Sequence, residues 1–116
     1  MKTCKLKANR KITSANILDT LTASDKFAER EVGSYVNSFV CGDHKITVYT
    51  SECFYARIDS TLTVILIIDE GTYETTVDII STGGKAGFAL ISFGAEKSAL
   101  NNVLSSLKQM GFEIIR

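Results

Sequence analysis

The pattern of hydrophobic and polar positions predicts a chain dominated by strands, with one helix near each end. Residues 4–8 alternate between apolar and polar side chains, the period of a short half-buried strand. A short amphipathic helix follows, which Thr13 or Ser14 can cap and which ends near residue 24. Its apolar stripe consists of Ile17, Leu18 and Leu21.

The middle of the chain predicts antiparallel hairpins. Residues 32–41 and 44–55 alternate and flank Gly42-Asp43, a favoured two-residue turn, which makes Cys41 and His44 cross-strand partners. A second hairpin joins residues 62–69 to residues 72–80 through an Asp-Glu-Gly turn. In the later strand, the residues expected on one face are Tyr73, Val77 and Ile79.

The last third of the chain predicts one more hairpin and a longer helix. A turn at residues 82–85 leads into an apolar strand at 86–93, and Gly94 opens the helix. Gly111 suits the left-handed position that ends it, before a short strand at 112–115. The apolar stripe of this helix consists of Leu100, Val103, Leu104 and Leu107.

This order of elements predicts an α+β fold with two layers. We expect an antiparallel sheet of five to seven strands with both helices on one face, in the order β-α-β5-α-β. The 116 residues, 45% of them hydrophobic, suit a single domain spanning residues 1–116. The arrangement resembles helix-grip folds, in which a sheet curls around a C-terminal helix, and this analogy carries no function by itself.

Two of the predicted strands are apolar on both faces. Ile65 and Ile67 oppose an apolar set on the same strand, and residues 88–93 place either Phe88 and Leu90 or Ile91 and Phe93 on the second face. We expect a homodimer or a small ligand to cover such a face, since symmetric homodimers are the commonest assembly. The alternative is scattered surface apolar residues.

Charge and composition exclude several classes of protein. Thirteen basic residues balance thirteen acidic ones, and the longest aliphatic run, residues 64–68, is far too short to span a bilayer. With three cysteines and no apolar signal segment at the start, we expect a cytoplasmic protein with reduced thiols and no disulfide framework.

Positive charge is concentrated at the start of the chain. These basic side chains can contact phosphates, lie along the protein's own acidic surface, or form the solvated face of a strand. No aromatic residue interleaves these side chains as a stacking platform requires, so nucleic acid is not expected as a partner. The residues concerned are Lys2, Lys5, Lys7, Arg10 and Lys11.

The densest cluster of chemically active side chains is Cys41, Asp43 and His44, with Cys53 downstream. If Gly42-Asp43 is the turn, Cys53 lies roughly 30 Å from the other two, so one zinc ion cannot use all three. Cys41 and His44 alone would make a nucleophile and its base, with Asp43 or Asp25 orienting the ring. The favoured alternative is a small thiol beside a turn histidine.

The sequence Ser-Thr-Gly-Gly-Lys-Ala-Gly at residues 81–87 is similar to a phosphate-binding loop. A P-loop requires Ser or Thr after its lysine and a following helix, whereas here an apolar strand follows. A hairpin turn is therefore favoured. If the loop binds an anion, the amides of Gly83 and Gly84 with the Lys85 ammonium would hold it.

Four segments carry a resemblance to a known family, namely residues 61–68, 81–84, 87–90 and 93–96. Through them, residues 48–107 resemble a family of small bacterial proteins, mainly Gram-positive, known as a domain of unknown function. The family places its acid directly after the glycine that opens the last helix, whereas Ala95 intervenes here. The resemblance implies a cytoplasmic α+β domain and gives no activity, cofactor or catalytic residue to carry over.

Two functional hypotheses follow from the sequence. The first is a non-enzymatic module that either forms a homo-oligomer or binds a small apolar or anionic ligand, with no cofactor. The second is an enzyme that uses Cys41 and His44 as nucleophile and base.

Overall fold

The fold is given by a computed structural model that describes residues 2–24, 31–55, 60–83 and 95–115. Two helices and six strands lie within these ranges. In chain order they are β1 (Lys2–Ala8), α1 (Ser14–Thr22), β2 (Glu31–Cys41), β3 (His44–Tyr55), β4 (Ser60–Glu70), β5 (Thr75–Thr82), α2 (Ala95–Gln109) and β6 (Glu113–Ile114).

The strands form one antiparallel sheet in the order β2-β3-β4-β5-β1-β6. β1 lies between β5 and β6, so both chain ends meet at one side of the sheet, and β2 lies at the other edge. The predicted α+β class and the size of its sheet are confirmed. The strand predicted at residues 86–93 lies outside the described residues.

One face of the sheet carries the core. The apolar stripes of both helices and the inward side chains of β1, β3, β4 and β5 join in a single buried cluster, which confirms that both helices cover the same face. Ile65 and Ile67 lie half-buried on the opposite, outer face. The fully buried members of the cluster are Leu6, Ile17, Leu21, Leu62, Val64, Leu66, Ile68, Val77, Ile79, Val103 and Leu107.

The helix ends follow the sequence signals. The Thr13 side chain caps α1 by accepting a hydrogen bond from the backbone of Asn16 at 3.2 Å. After α2, Gly111 takes φ 100° while the backbone of Phe112 donates to the Leu107 carbonyl at 3.1 Å. This is the Schellman arrangement, which satisfies carbonyl groups left open at a helix end.

The first hairpin has the predicted register. Cys41 and His44 are cross-strand partners, and Gly42 has φ 62°, as the first central position of a type I′ or II′ turn requires. A bulge between Glu31 and Gly33 interrupts the pairing at the far end of β2. The regular part of β2 therefore comprises residues 33–41, which we call the β2 edge.

The second hairpin differs from the prediction. β4 continues to Glu70 and β5 begins only at Thr75, so the turn contains Tyr73, which is 84% exposed rather than aligned with Val77. The backbone of Gly71 donates to the Glu74 carbonyl at 2.9 Å and closes a four-residue turn. Tyr73 lies at its tip, and the predicted alternation there was wrong because residues 72–74 are not extended.

Three of the five basic N-terminal residues, Lys2, Lys5 and Lys7, lie on β1, and Lys5, Lys7 and Arg10 contact other parts of the protein. Lys5 lies 3.8 Å from Asp78, and Lys7 lies 3.0 Å from Glu74 on the neighbouring hairpin. The Arg10 side chain donates to the carbonyl of Met110 at 2.5 Å, at the end of α2. These contacts agree with the interpretation that the lysines lie along the protein's own acidic surface.

None of the helices in the described part of the chain is long and apolar enough to cross a membrane.

Candidate functional site

The candidate site is the β2 edge, an exposed strand at one side of the sheet. β3 pairs with one side of it, and no strand among the described residues pairs with the other. α2 packs over β1, β4 and β5, and neither of the described helices buries any residue from 32 to 41. Every residue from 32 to 41 is exposed.

Large apolar side chains lie exposed on both faces of β2. Val36 and Val40 are 49% and 75% exposed on the inner face, and Tyr35 and Phe39 are 67% and 51% exposed on the outer face. The β2 edge contains no charged residue and no proline. Sequence reasoning placed the exposed apolar surface on residues 65, 67 and 88–93, and it missed this one. The available signal was the adjacent pairs Tyr35-Val36 and Phe39-Val40, which put apolar side chains on both faces of a strand that contains no charge.

A polar cluster anchors the beginning of β2. The Tyr49 hydroxyl donates a hydrogen bond to Oε2 of Glu31, and Ser51 Oγ donates to the same oxygen at 2.5 Å. Burial, then the hydrogen bond and negative charge of Glu31, raise the pKa of Tyr49 far above its ordinary value. A phenol held protonated in this way is a hydrogen-bond donor, so the cluster fixes β2 against β3 and supplies no nucleophile.

His44 lies where the sequence placed it, beside Cys41, but another carboxylate contacts it. His44 Nδ1 lies 2.6 Å from Asp69 Oδ1, whereas the sequence analysis expected Asp43 or Asp25 to orient the ring. Asp43 is in the turn and exposed, and Asp25 lies outside the described residues. Asp69 is the partner because the β3–β4 register brings it diagonally beside His44 on the outer face.

The thiol of Cys41 is exposed and, among the described residues, has no hydrogen bond to His44. Gly71 lies against the imidazole, since a Cβ added there would lie 3.2 Å from His44 Cε1. The ring is therefore held between Asp69 and the second hairpin turn. This arrangement positions the imidazole, while no base of the described residues is hydrogen-bonded to the thiol.

Cys53 lies far from Cys41 and His44. It is buried on the inner face and pairs with Leu62, whereas Cys41 and His44 lie on the outer face at the other end of β3. The three side chains therefore do not converge. Among the residues that the structure describes, no group of three or more His, Cys, Asp or Glu side chains can hold a metal ion.

The candidate anion loop is only partly described. β5 ends at Thr82 and Gly83 follows it, while Gly84 and Lys85 lie outside the described residues. The predicted use of these three residues in binding an anion stays a prediction.

Two buried polar atoms have no hydrogen-bond partner among the described residues, Oε2 of Glu70 and Oγ of Ser81. They lie near opposite ends of the sheet's inner face, since Glu70 pairs with Thr75 and Ser81 lies six positions further along β5. At about 3.4 Å per residue, about 20 Å separates them. They do not form one site.

A cleft of about 650 Å³ separates α1 from α2. Most of its lining residues have polar side chains; they include Asp19 and, among the described residues, no cationic residue. A carboxylate without a cation beside it disfavours an anionic ligand. The residues are Asp19, Thr20, Ala23, Ser24, Asn102, Ser105, Ser106 and Gln109.

No protein-family model matches the chain, and no curated protein matches it. The resemblance of residues 48–107 to a bacterial domain of unknown function stays a hypothesis.

Proposed function

We propose that this protein is a non-enzymatic interaction module that forms a homodimer through the β2 edge. The observation that carries the proposal is a strand that is exposed, uncharged and apolar on both faces, with one side unpaired among the described residues. Exposed peptide groups on an edge are a template for another strand, and monomeric proteins protect such edges with lysine, proline or a covering segment.

The rest of the described surface offers weaker candidates. The outer face of the sheet centre carries ion pairs between β1 and the second hairpin, and most residues lining the cleft between the helices have polar side chains. A second β2 edge offers partners to the unpaired side of the first, because it has backbone donors and acceptors and uncharged apolar side chains.

A proline substitution tests the proposal. In a hairpin closed by Cys41 and His44, the residues that bond to β3 are 41, 39, 37, 35 and 33, so the N–H of Val36 is directed at the free side. Val36→Pro therefore removes a donor from the free side only, and Val36→Thr retains it in a matched control.

Native mass spectrometry and sedimentation velocity of the untagged protein give the measurement. We expect twice the chain mass for wild type and Val36→Thr, and the single mass for Val36→Pro, all with unchanged far-ultraviolet circular dichroism. A wild type that stays monomeric at concentrations well above the micromolar range, or a dimeric Val36→Pro under the same conditions, would contradict the proposal. A monomer carrying additional mass would instead support the small-ligand hypothesis.

The second candidate is the enzyme that uses Cys41 and His44, which the hydrogen bond between His44 and Asp69 favours. An imidazole oriented through Nδ1 is the arrangement that activates a nucleophile through Nε2. Alkylation by iodoacetamide at neutral pH separates the candidates. A fast reaction at Cys41 that slows at least about tenfold in His44→Ala would support the enzyme, and an unchanged rate would exclude it.

We propose a bacterial cytoplasm as the location. Three cysteines are too few for a disulfide framework and odd in number, which supports a reducing compartment. The bacterial origin rests on the resemblance of residues 48–107 alone.

A further inference from the structure

We infer that the two copies pair about a two-fold axis at Asn37, which places Tyr35 of one copy opposite the partner's Phe39. This inference rests on the proposed homodimer and adds the register, the side-chain contacts and the position of the axis. The two sheets would join in the strand order β3-β2-β2-β3.

The direction of the backbone groups restricts the register. In an antiparallel strand, successive residues direct their N–H and C=O groups to alternate sides. Because the turn makes Cys41 and His44 a hydrogen-bonded pair, the odd-numbered residues of the β2 edge bond to β3. The even-numbered residues face the free side, namely Ser34, Val36, Ser38 and Val40. Hydrogen-bonded pairs between two copies therefore join even positions to even positions.

The ends of the β2 edge restrict the register further. The bulge between Glu31 and Gly33 ends regular pairing on one side, and the Gly42 turn ends it on the other. The longest antiparallel pairing of residues 33–41 with a second copy has Asn37 at its centre. An axis at Val36 would place Cys41 opposite Glu31, at the bulge, and would shorten the regular ladder.

The side-chain contacts across the pairing also favour the axis at Asn37. With Asn37 opposite Asn37, Tyr35 faces the partner's Phe39 on the outer face, and the symmetry repeats this aromatic contact. These are non-hydrogen-bonded positions, where the two Cα atoms approach to about 4.5 Å and aromatic pairs contact well. An axis at Val36 would instead place Tyr35 opposite an asparagine.

The inner-face contacts and the absence of charge are also compatible with an axis at Asn37. Val36 lies opposite the partner's Ser38, and Val40 lies opposite the partner's Ser34, so each valine meets a small side chain. No charged residue lies in residues 33–41, so the paired ladder itself brings no like charges opposite each other. The free edge of β2 is thus complementary to itself.

The area of the contact suits a dimer. Tyr35 and Phe39 are 67% and 51% exposed, and each leaves on the order of 100 Å² of aromatic surface in water. With Val36, Val40 and the strand backbone, pairing would bury on the order of 1,000 Å² in total, the lower end of specific interfaces. We therefore expect a dimer that dissociates at micromolar rather than nanomolar concentration.

Disulfide cross-linking tests the register. Asn37→Cys, in a Cys41→Ser background, places two thiols on Cα atoms about 4.5 Å apart, within disulfide range. The matched control is Ser38→Cys in the same background. Ser38 pairs with the partner's Val36, so the two introduced thiols sit on Cα atoms about 9 Å apart, beyond the reach of a disulfide.

Both variants are oxidised by copper-phenanthroline and followed on non-reducing gels, and their reduced forms are weighed by native mass spectrometry. We expect Asn37→Cys to cross-link at least about tenfold faster than Ser38→Cys. Equal rates, or a faster control, with both reduced forms dimeric would overturn the register and leave the homodimer standing. Monomeric reduced forms of both variants and of wild type would overturn both.

Discussion

Tyr49 donates a hydrogen bond from the buried face of β3 to Glu31, the first residue of β2. The contact precedes the bulge at Gly33, so it fixes the point from which the β2 edge extends into solvent. Ser51 Oγ donates to the same carboxylate at 2.5 Å. Among the described residues no helix covers this strand, so it is held in place by its ladder to β3 and by this buried cluster.

Removing the Tyr49 hydroxyl should therefore destabilise the protein. We expect Tyr49→Phe to lower the free energy of unfolding by about 1.5–3 kcal/mol, the range for hydrogen bonds to charged groups. Tyr73→Phe is the control, because Tyr73 is 84% exposed in a turn, and we expect a change within about 0.5 kcal/mol. Urea unfolding measures both, and equal effects would contradict the role of the cluster.

The same hydroxyl gives a dependence on pH. Burial and Glu31 raise the pKa of Tyr49 above its ordinary value of 10.0, so the folded protein holds this proton more tightly than the unfolded chain does. The stabilisation is complete below about pH 10 and declines as the pH rises further, because the unfolded chain then releases the proton. The stability difference between wild type and Tyr49→Phe should therefore be unchanged from about pH 8 to pH 9 and smaller at about pH 11. A difference at about pH 11 that is as large as that at about pH 8, or larger, would contradict it.

Charge substitutions at two positions test the pairing of Tyr35 with the partner's Phe39. Tyr35→Lys/Phe39→Lys places like charges opposite each other twice in the dimer, whereas Tyr35→Lys/Phe39→Glu places opposite charges there. Within one chain the two positions are about 13 Å apart, so they do not pair with each other. We expect the first variant to dissociate at least about tenfold more readily in sedimentation equilibrium at low salt. Equal dissociation constants would exclude this contact.

Neighbouring residues of β4 report which face of the sheet is the core. Leu66 is fully buried on the inner face, while Ile67 is half-buried on the outer face. We expect Leu66→Ala to cost about 2–5 kcal/mol, because it leaves a cavity. Ile67→Ala should cost about 1 kcal/mol, since part of its side chain already meets solvent. Denaturant unfolding of the two variants gives the comparison, and a larger loss for Ile67→Ala would reverse the assignment of faces.

Substitutions at Gly111 test how α2 ends. Its φ of 100° is unfavourable for any residue with a Cβ, so Gly111→Ala should lower the free energy of unfolding by about 1–2 kcal/mol. Gly111→Asn is the matched variant, because asparagine enters the left-handed region more readily, and it should cost less. Thermal unfolding would contradict this assignment if alanine were tolerated as well as asparagine.

Local signals determined much of this fold before any tertiary contact was considered. Thr13 caps α1, and Gly111 ends α2, because each acts within one helical turn. Gly42-Asp43 determined that Cys41 pairs with His44, because a two-residue turn fixes the register of both strands. The alternation in β1 and β4 identified which of their side chains share a face, because side-chain direction along a strand has a period of two.

Strand order was decided by the tertiary structure. The sequence showed that β4 is apolar on both faces, but only the assembled sheet places β4 in the interior and β2 at the edge, with Tyr35 and Phe39 exposed. The contact of His44 with Asp69, 25 positions away along the chain, likewise depends on which strand lies beside β3. Alternation states which side chains share a face, whereas the neighbour of each strand depends on how the whole chain buries its apolar surface.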